Sequence, residues 1–202
     1  ERRAGCLPVL QYTDGVAAAP LFLPNTDAVG MFLWGVWNHA SFLSNEKREA
    51  FLRSFWPHVE QAADYLVDQV HVTSGVPLPS FRPELLRVAE DVRSLISGCA
   101  GLSSAASIAE SLNLECERWL EAKQVFLNRL ESLLYTTDTE TILAPLWPLV
   151  ASGCRSESVK RAVQRRFADL GRLEQVADRW MVIADVALLA ERDPNVLDHI
   201  RP

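Results

Sequence analysis

Cysteine and histidine, the side chains that most often hold metals or act as nucleophiles and bases, are few in this 202-residue chain. No two cysteines have C-x-x-C spacing, so we expect them to be small buried residues and not parts of a metal or redox site. They are Cys6, Cys99, Cys116 and Cys154. The histidines also lack ligand spacing and are expected to be ordinary polar or packing residues. They are His39, His58, His71 and His199. We therefore expect no metal site and no cofactor.

Carboxylates and tryptophans are the other residue types with obvious chemistry. Two carboxyl groups can share acid and base roles, and tryptophan rings can stack on the apolar faces of sugars. The six tryptophans are Trp34, Trp37, Trp56, Trp119, Trp147 and Trp180. Helical spacing of most of them also suits core packing. The Asp27 carboxylate has two interpretations, as a pocket residue or as a partner of the helix dipole.

The composition is that of a soluble globular protein, with 49% hydrophobic and 23% charged residues. These values exclude a disordered chain, and the formal charge of −6 argues against a nucleic-acid partner. No stretch approaches the roughly 20 apolar residues that cross a bilayer, and we see no signal peptide, so we expect no membrane partner. The chain starts without Met, as a processed or excised segment would. The compartment is left open, with a cytoplasmic location preferred.

Hydrophobic periodicity predicts helices over most of the chain, after an irregular segment over 1–26 that is rich in Pro, Gly and Ala. The first helix is expected over 27–43 and is apolar on most sides, which is typical of a buried helix. Asn45 is expected to cap the next stretch, 46–70, in which Pro57 separates a short helix from a longer one. The longer one has the cleanest apolar stripe, made of Val59, Ala62, Ala63, Leu66, Val67 and Val70.

The pattern continues after a proline-rich loop over 71–83. A second loop, around Gly98 and Gly101, is expected to interrupt the helical sequence. A capping box over 137–140 predicts a further helix start. The other predicted helices are 84–96, 103–112, 114–134, 157–170 and 176–190. The helix after the capping box is expected to bury Ile142, Leu143, Leu146, Trp147 and Val150.

Ser156 is predicted to cap the helix over 157–170. This helix carries a basic face that we expect to be solvated, since runs of charge usually face water. The face is made of Lys160, Arg161, Arg165 and Arg166. Seven to nine helices and no strand indicate an all-α fold of antiparallel helical hairpins, in a single domain over 1–202.

Three parts of the sequence, in this order, resemble a known family. PNTDAVG at 24–30 is similar to a turn that enters an inner helix. FWPHVEQAADYL at 55–66, with GVPLPSF at 75–81, is similar to an outer helix and the catalytic loop after it. DTETIL at 138–143 is similar to the start of a later inner helix. The chain thus resembles the glucoamylase-like glycoside hydrolases, family 15, whose catalytic domains are (α/α)6 toroids of two concentric helix rings. The resemblance implies a partial toroid.

The resemblance also implies hydrolysis of α-glucosidic bonds with inversion, by two carboxyl groups about 6.5–9.5 Å apart. Asp27 matches the family aspartate that binds hydroxyls of the terminal sugar, and Trp34 is the neighbouring candidate for substrate binding. The general acid is expected at Glu90 or Glu84, and a solvated helix-face carboxylate is the alternative for each. Neither has the tryptophan and direct spacing of the family's acidic pair. Thr26 stands where fungal members carry an arginine.

No segment matches the family's general base, and a complete toroid needs a longer chain. We therefore expect a fragment of a catalytic domain or a degenerate relative, acting on an α-linked glucose oligosaccharide or polysaccharide. A non-catalytic helical binding or regulatory module on the same scaffold is the main alternative, and an unrelated helical bundle is the third. Half a toroid leaves an apolar edge, so the sequence also predicts self-association.

Overall fold

The computed structural model describes residues 26–72, 87–136, 146–152, 156–172 and 176–192. Within these ranges the chain is helical and contains no strand, which confirms the all-α prediction. The α-helices are α1 (Thr26–Ser41), α2 (Asn45–Val72), α3 (Arg87–Ser111), α4 (Glu117–Thr136), α5 (Trp147–Ala151), α6 (Glu157–Ala168) and α7 (Val176–Arg192). None of these helices combines the length and the apolar character needed to cross a bilayer. The predicted irregular segment lies outside the described residues except for Thr26, which begins α1.

Short connections join α1 to α2 and α3 to α4 as helical hairpins. The Arg48 side chain closes the first turn by donating from Nε to the Ala40 carbonyl oxygen at 3.0 Å. The second turn follows a Schellman motif, in which Asn113 has a φ of 56° and the Leu114 N–H donates to the Ala109 carbonyl at 2.9 Å. Asparagine tolerates this left-handed conformation because its short polar side chain can bond locally.

Gly98 and Gly101 lie inside α3, so the predicted loop between two helices is wrong. The glycines instead allow close helix packing. A Cβ added at Gly30 in α1 would lie 2.1 Å from the Ser97 carbonyl oxygen, and one at Gly101 would lie 2.6 Å from the Gly30 Cα. A Cβ at Gly98 would lie 2.8 Å from the Phe126 ring of α4. Tertiary contact therefore outweighs the roughly 1 kcal/mol that glycine costs in a helix interior.

Pro57 also lies inside a helix, because α2 runs without interruption from Asn45 to Val72. The predicted division into two helices is wrong. Proline removes the N–H that would bond to the carbonyl of Arg53, one turn earlier. Both residues are exposed, so solvent reaches that carbonyl, while the buried face of α2 anchors the helix. The predicted stripe is buried, with Val67 half-buried.

The core is continuous through the described helices, and α1 packs most extensively against α3. Asp27 meets Ser97, and Gly30 meets Gly101 one turn further along both helices. α1 and α3 therefore run in the same direction, with α2 as the antiparallel connection between them. The largest fully buried side chains include Trp119, Phe126, Leu33, Leu66, Leu95 and Ile96.

The predictions of which cysteines, tryptophans and other apolar residues are buried are confirmed only in part. Cys99 is buried and Cys116 is half-buried, whereas Cys6 and Cys154 lie outside the described residues. Trp180 has 65% of its surface exposed, in contrast to the buried Trp119, so it is an exception to core packing. The capping box over 137–140 also lies outside the described residues. In the segment that follows it, Leu146 and Val150 are buried as predicted, with Trp147 half-buried.

Candidate ligand-binding cleft

Four helices converge on a cleft with a volume of about 330 Å³. This volume is at the lower end of the range for small-molecule sites, roughly 300–1,000 Å³. The walls combine one carboxylate, one guanidinium, one hydroxyl and an indole with apolar side chains. The lining residues are Asp27 and Met31 from α1, Arg93, Ile96 and Ser97 from α3, Trp147 and Pro148 from α5, and Met181 from α7. A few polar groups on an apolar surface are typical of a site for a small polar ligand.

Asp27 stands in the first turn of α1, and its half-buried carboxylate lines the cleft. The Ser97 hydroxyl of α3 donates a hydrogen bond to Asp27 Oδ1. This bond orients the carboxylate across the contact between α1 and α3. Because an ionised carboxylate offers about four acceptor positions, Asp27 keeps capacity for donors from a ligand.

Arg93 brings a positive charge to the same cleft, one helical turn before Ser97 in α3. Its Nε is buried and has no hydrogen-bond partner. A buried donor without a partner costs about 1–3 kcal/mol, and an acceptor from a ligand would recover that energy. Sequence analysis did not single out Arg93. The predicted break at Gly98 hid the fact that Arg93, Ile96 and Ser97 share one continuous helix.

Trp147 forms the aromatic part of the wall, at the first position of α5. Its ring meets the Trp34 ring edge-on, with centroids 4.9 Å apart and planes at 74°. Such aromatic pairs are favourable in this geometry. Trp34, the predicted substrate-binding tryptophan, contacts Trp147 but is not among the residues that line the cleft.

A buried ion pair lies beside this wall. Arg166 of α6 and Asp185 of α7 are 6% and 1% exposed, with Nη1 and Oδ2 3.7 Å apart. The predicted solvated face of α6 is therefore wrong for Arg166. Burial raises the pKa of the Asp185 carboxyl to about 6, although the Leu146 and Trp147 backbone amides and Arg166 act to lower it. Burial likewise lowers the pKa of the Arg166 guanidinium.

The side chains of the two candidate general acids, Glu90 and Glu84, are not described by the structure. Glu90 belongs to α3, three residues before Arg93, but its side chain lies outside the described part of the chain. Glu84 also lies outside the described residues. The catalytic roles of both remain predictions. Among the carboxylates that are described, Asp27 alone lines the cleft.

No group of three or more His, Cys, Asp or Glu within the described ranges is arranged to hold a metal ion. Comparison with protein-family models, curated proteins and solved structures gives no match.

Proposed function

We propose that the cleft binds a terminal glucose unit of an α-linked oligosaccharide, on a helical scaffold similar to that of the glucoamylase-like glycoside hydrolases. The observation that carries the proposal is the placement of Asp27, Arg93 and Trp147 around one small cleft. A sugar ring presents hydroxyls that donate, oxygens that accept and an apolar face of C–H groups. A carboxylate, a guanidinium and an indole complement these three features in turn.

Each polar group has a separate role in this proposal. Asp27 accepts from two neighbouring sugar hydroxyls, while Ser97 holds its carboxylate in place. Arg93 donates to a sugar oxygen and thereby satisfies its buried Nε. The arginine comes from α3, whereas the resemblance would have placed one directly before Asp27. In this proposal an arginine from α3 takes the place of the arginine that the resemblance implies beside the aspartate.

The arrangement of the helices also supports the comparison with a toroid. α1 and α3 lie side by side in the same direction, and α2 returns between them. In a double ring of helices, neighbouring inner helices have this relation and are joined through outer ones. Asp27 then stands at the start of an inner helix, where a carboxylate can reach a central hollow.

Hydrolysis is a second step of the proposal and needs more carboxylates than binding does. Glu90, or alternatively Glu84, would protonate the glycosidic oxygen, and a base would activate water on the opposite face of the sugar. Only one of the described carboxylates, Asp27, lines the cleft. A non-catalytic binding module is the alternative to a complete hydrolase, so binding and hydrolysis are tested separately.

The binding proposal is tested by calorimetric titration with maltose, maltotriose and glucose. Asp27→Asn and Arg93→Met should each weaken binding at least about tenfold, because each removes a charged hydrogen-bonding group worth about 1.5–3 kcal/mol. Asp68→Asn is the matched control, since Asp68 is an exposed aspartate on α2 and away from the cleft. Binding that is absent in the wild type, or unchanged in Asp27→Asn, would overturn the proposal.

Hydrolysis is tested by glucose release from maltose, with Glu90→Gln and Glu84→Gln as variants. Loss of activity in one variant, with maltose affinity retained, would identify the acid. Saturable binding without glucose release would instead establish the non-catalytic module. Circular dichroism of every variant checks that the helical fold is intact.

A further inference from the structure

Asp185 connects two walls of the cleft without lining the cleft itself. It lies one helical turn after Met181, which lines the cleft from α7. Its carboxylate Oδ2 accepts from the Leu146 backbone N–H at 3.2 Å, and the Trp147 amide also donates to it. These amides belong to the start of α5, where Leu146 is the N-cap residue and provides no side-chain cap of its own.

The start of a helix has backbone N–H groups without partners inside the helix. In most helices a nearby Ser, Thr, Asp or Asn accepts from them. Here the acceptor comes from a distant helix, 39 residues further along the chain from Leu146. α5 has only five residues, so it gains little stability of its own and depends on such contacts for its position.

We infer that Asp185 is a positioning residue for the cleft, which fixes the wall formed by Trp147 and Pro148 by holding the first turn of α5. Loss of this acceptor should release the turn and displace the Trp147 ring from the cleft and from Trp34. The inference concerns the wall, and it holds whether or not the ligand is a sugar.

The protonation of the Asp185 carboxyl can be followed in a pH titration, and few charged groups lie around it in the described helices. From α6, Arg166 faces the carboxylate directly, and Arg165 acts on Arg166 in turn. α5 itself, Trp147–Ala151, has no titratable side chain. A titration of the Leu146 and Trp147 amides between pH 4.5 and 8 that disappears when Asp185 is replaced belongs to Asp185.

Nitrogen-15 NMR of the full chain tests the inference through the backbone amides of Leu146 and Trp147 and the Trp147 indole. Changing Asp185 alone would remove the carboxylate that faces the buried Arg166, so the variants carry Arg166→Met as well. Asp185→Asn retains a side-chain oxygen that accepts from the amides, whereas Asp185→Leu has similar size and no acceptor. Trp119 is the internal reference, since its indole donates to Asp64 at 2.9 Å in another part of the fold.

We expect wild-type shifts of both amides with an inflection near pH 6 that is absent in the Asn variant. The Leu variant should move both amides upfield and shift the Trp147 indole, with Trp119 unchanged. Equal spectra for the Asn and Leu variants, or equal disturbance of Trp147 and Trp119, would overturn the inference. Maltose titration of the same variants adds a separate readout. If no sugar binds to any protein, the proposed function fails while the NMR result still decides the role of Asp185.

Discussion

The close contact between α1 and α3 at Gly30 is possible because glycine has no side chain. A Cβ there would lie 2.1 Å from the Ser97 carbonyl oxygen, which belongs to a helical backbone and has no freedom to turn away. We expect Gly30→Ala to separate the two helices and lower the free energy of unfolding by at least about 2 kcal/mol, through overpacking. Urea denaturation followed by circular dichroism measures this change.

Gly35 provides the matched control in the same helix. A Cβ at this position meets nothing within 4 Å. Gly35→Ala should therefore raise the free energy of unfolding by about 0.5–1 kcal/mol, because alanine favours the helix. If both alanine variants were equally stable, the close approach of α1 to α3 would be wrong.

Asp185 should give the folding stability a dependence on pH. Its folded pKa of about 6 is above its ordinary value of 3.8, so the folded state binds this proton more tightly than the unfolded chain does. The contribution of this group is fully present below pH 3.8 and is lost as the pH rises through 6. The full loss amounts to about 3 kcal/mol at 1.36 kcal/mol for each unit of pKa.

Urea denaturation of the wild type and of Arg166→Met/Asp185→Asn between pH 4 and pH 7 checks the dependence on Asp185. The wild type should lose more stability over this interval than the double variant does, because other carboxylates act in both proteins. Parallel profiles for the two proteins would contradict the raised pKa.

Among the helices, α6 has a cap that can be tested directly. The Ser156 hydroxyl oxygen accepts from the Val159 N–H at 3.4 Å, as predicted from the sequence, and the hydroxyl donates to Glu131 of α4. Ser156→Ala removes both contacts and should cost about 1 kcal/mol of stability, measured by thermal unfolding. Ser158→Ala, two residues further into the same helix, should be nearly neutral. A similar loss of stability in both variants would show that the Ser156 cap does not stabilise α6.

Pro57 tests how α2 tolerates a residue that usually ends a helix. Pro57→Ala restores the backbone donor toward the Arg53 carbonyl at an exposed position, where no side-chain contact in the core is lost. We expect the free energy of unfolding to rise by about 1–3 kcal/mol, from the helix propensities of the two residues. A loss of stability, seen by urea denaturation, would mean that the exposed ring makes a contact that the helix requires.

For the whole molecule, the sequence predicts self-association, and α7 supplies an apolar surface for it. Trp180, Ile183, Ala184 and Ala187 follow i, i+3, i+4 and i+7 spacing, and all four are exposed. We expect sedimentation velocity to show association that increases with concentration and is reduced by Trp180→Asp. Phe42→Asp is the control, since Phe42 is 81% exposed but stands alone in the turn between α1 and α2. A monomer at all concentrations would contradict the prediction.

The candidate site shows where sequence reasoning reached its limit. Asp27 was singled out from a local pattern, and the structure places it in the cleft. Arg93 was missed because its importance depends on α3 continuing through Gly98 and Gly101. Arg166 was expected in solvent because its partner, Asp185, lies 19 residues away on another helix.

The amino-acid sequence by itself determined the helical character of the chain, the start of α1, the buried stripe of α2 and the cap of α6. These features depend on side-chain periodicity and on hydrogen bonds between residues close in the sequence, so a short stretch of sequence is enough to predict them. Only the tertiary structure decided that three glycines are packing sites and that a proline is tolerated within α2. It also decided that an arginine is buried and that four helices meet at one cleft. The reason is that each of these outcomes depends on the energy of contact with a partner that is distant in the sequence.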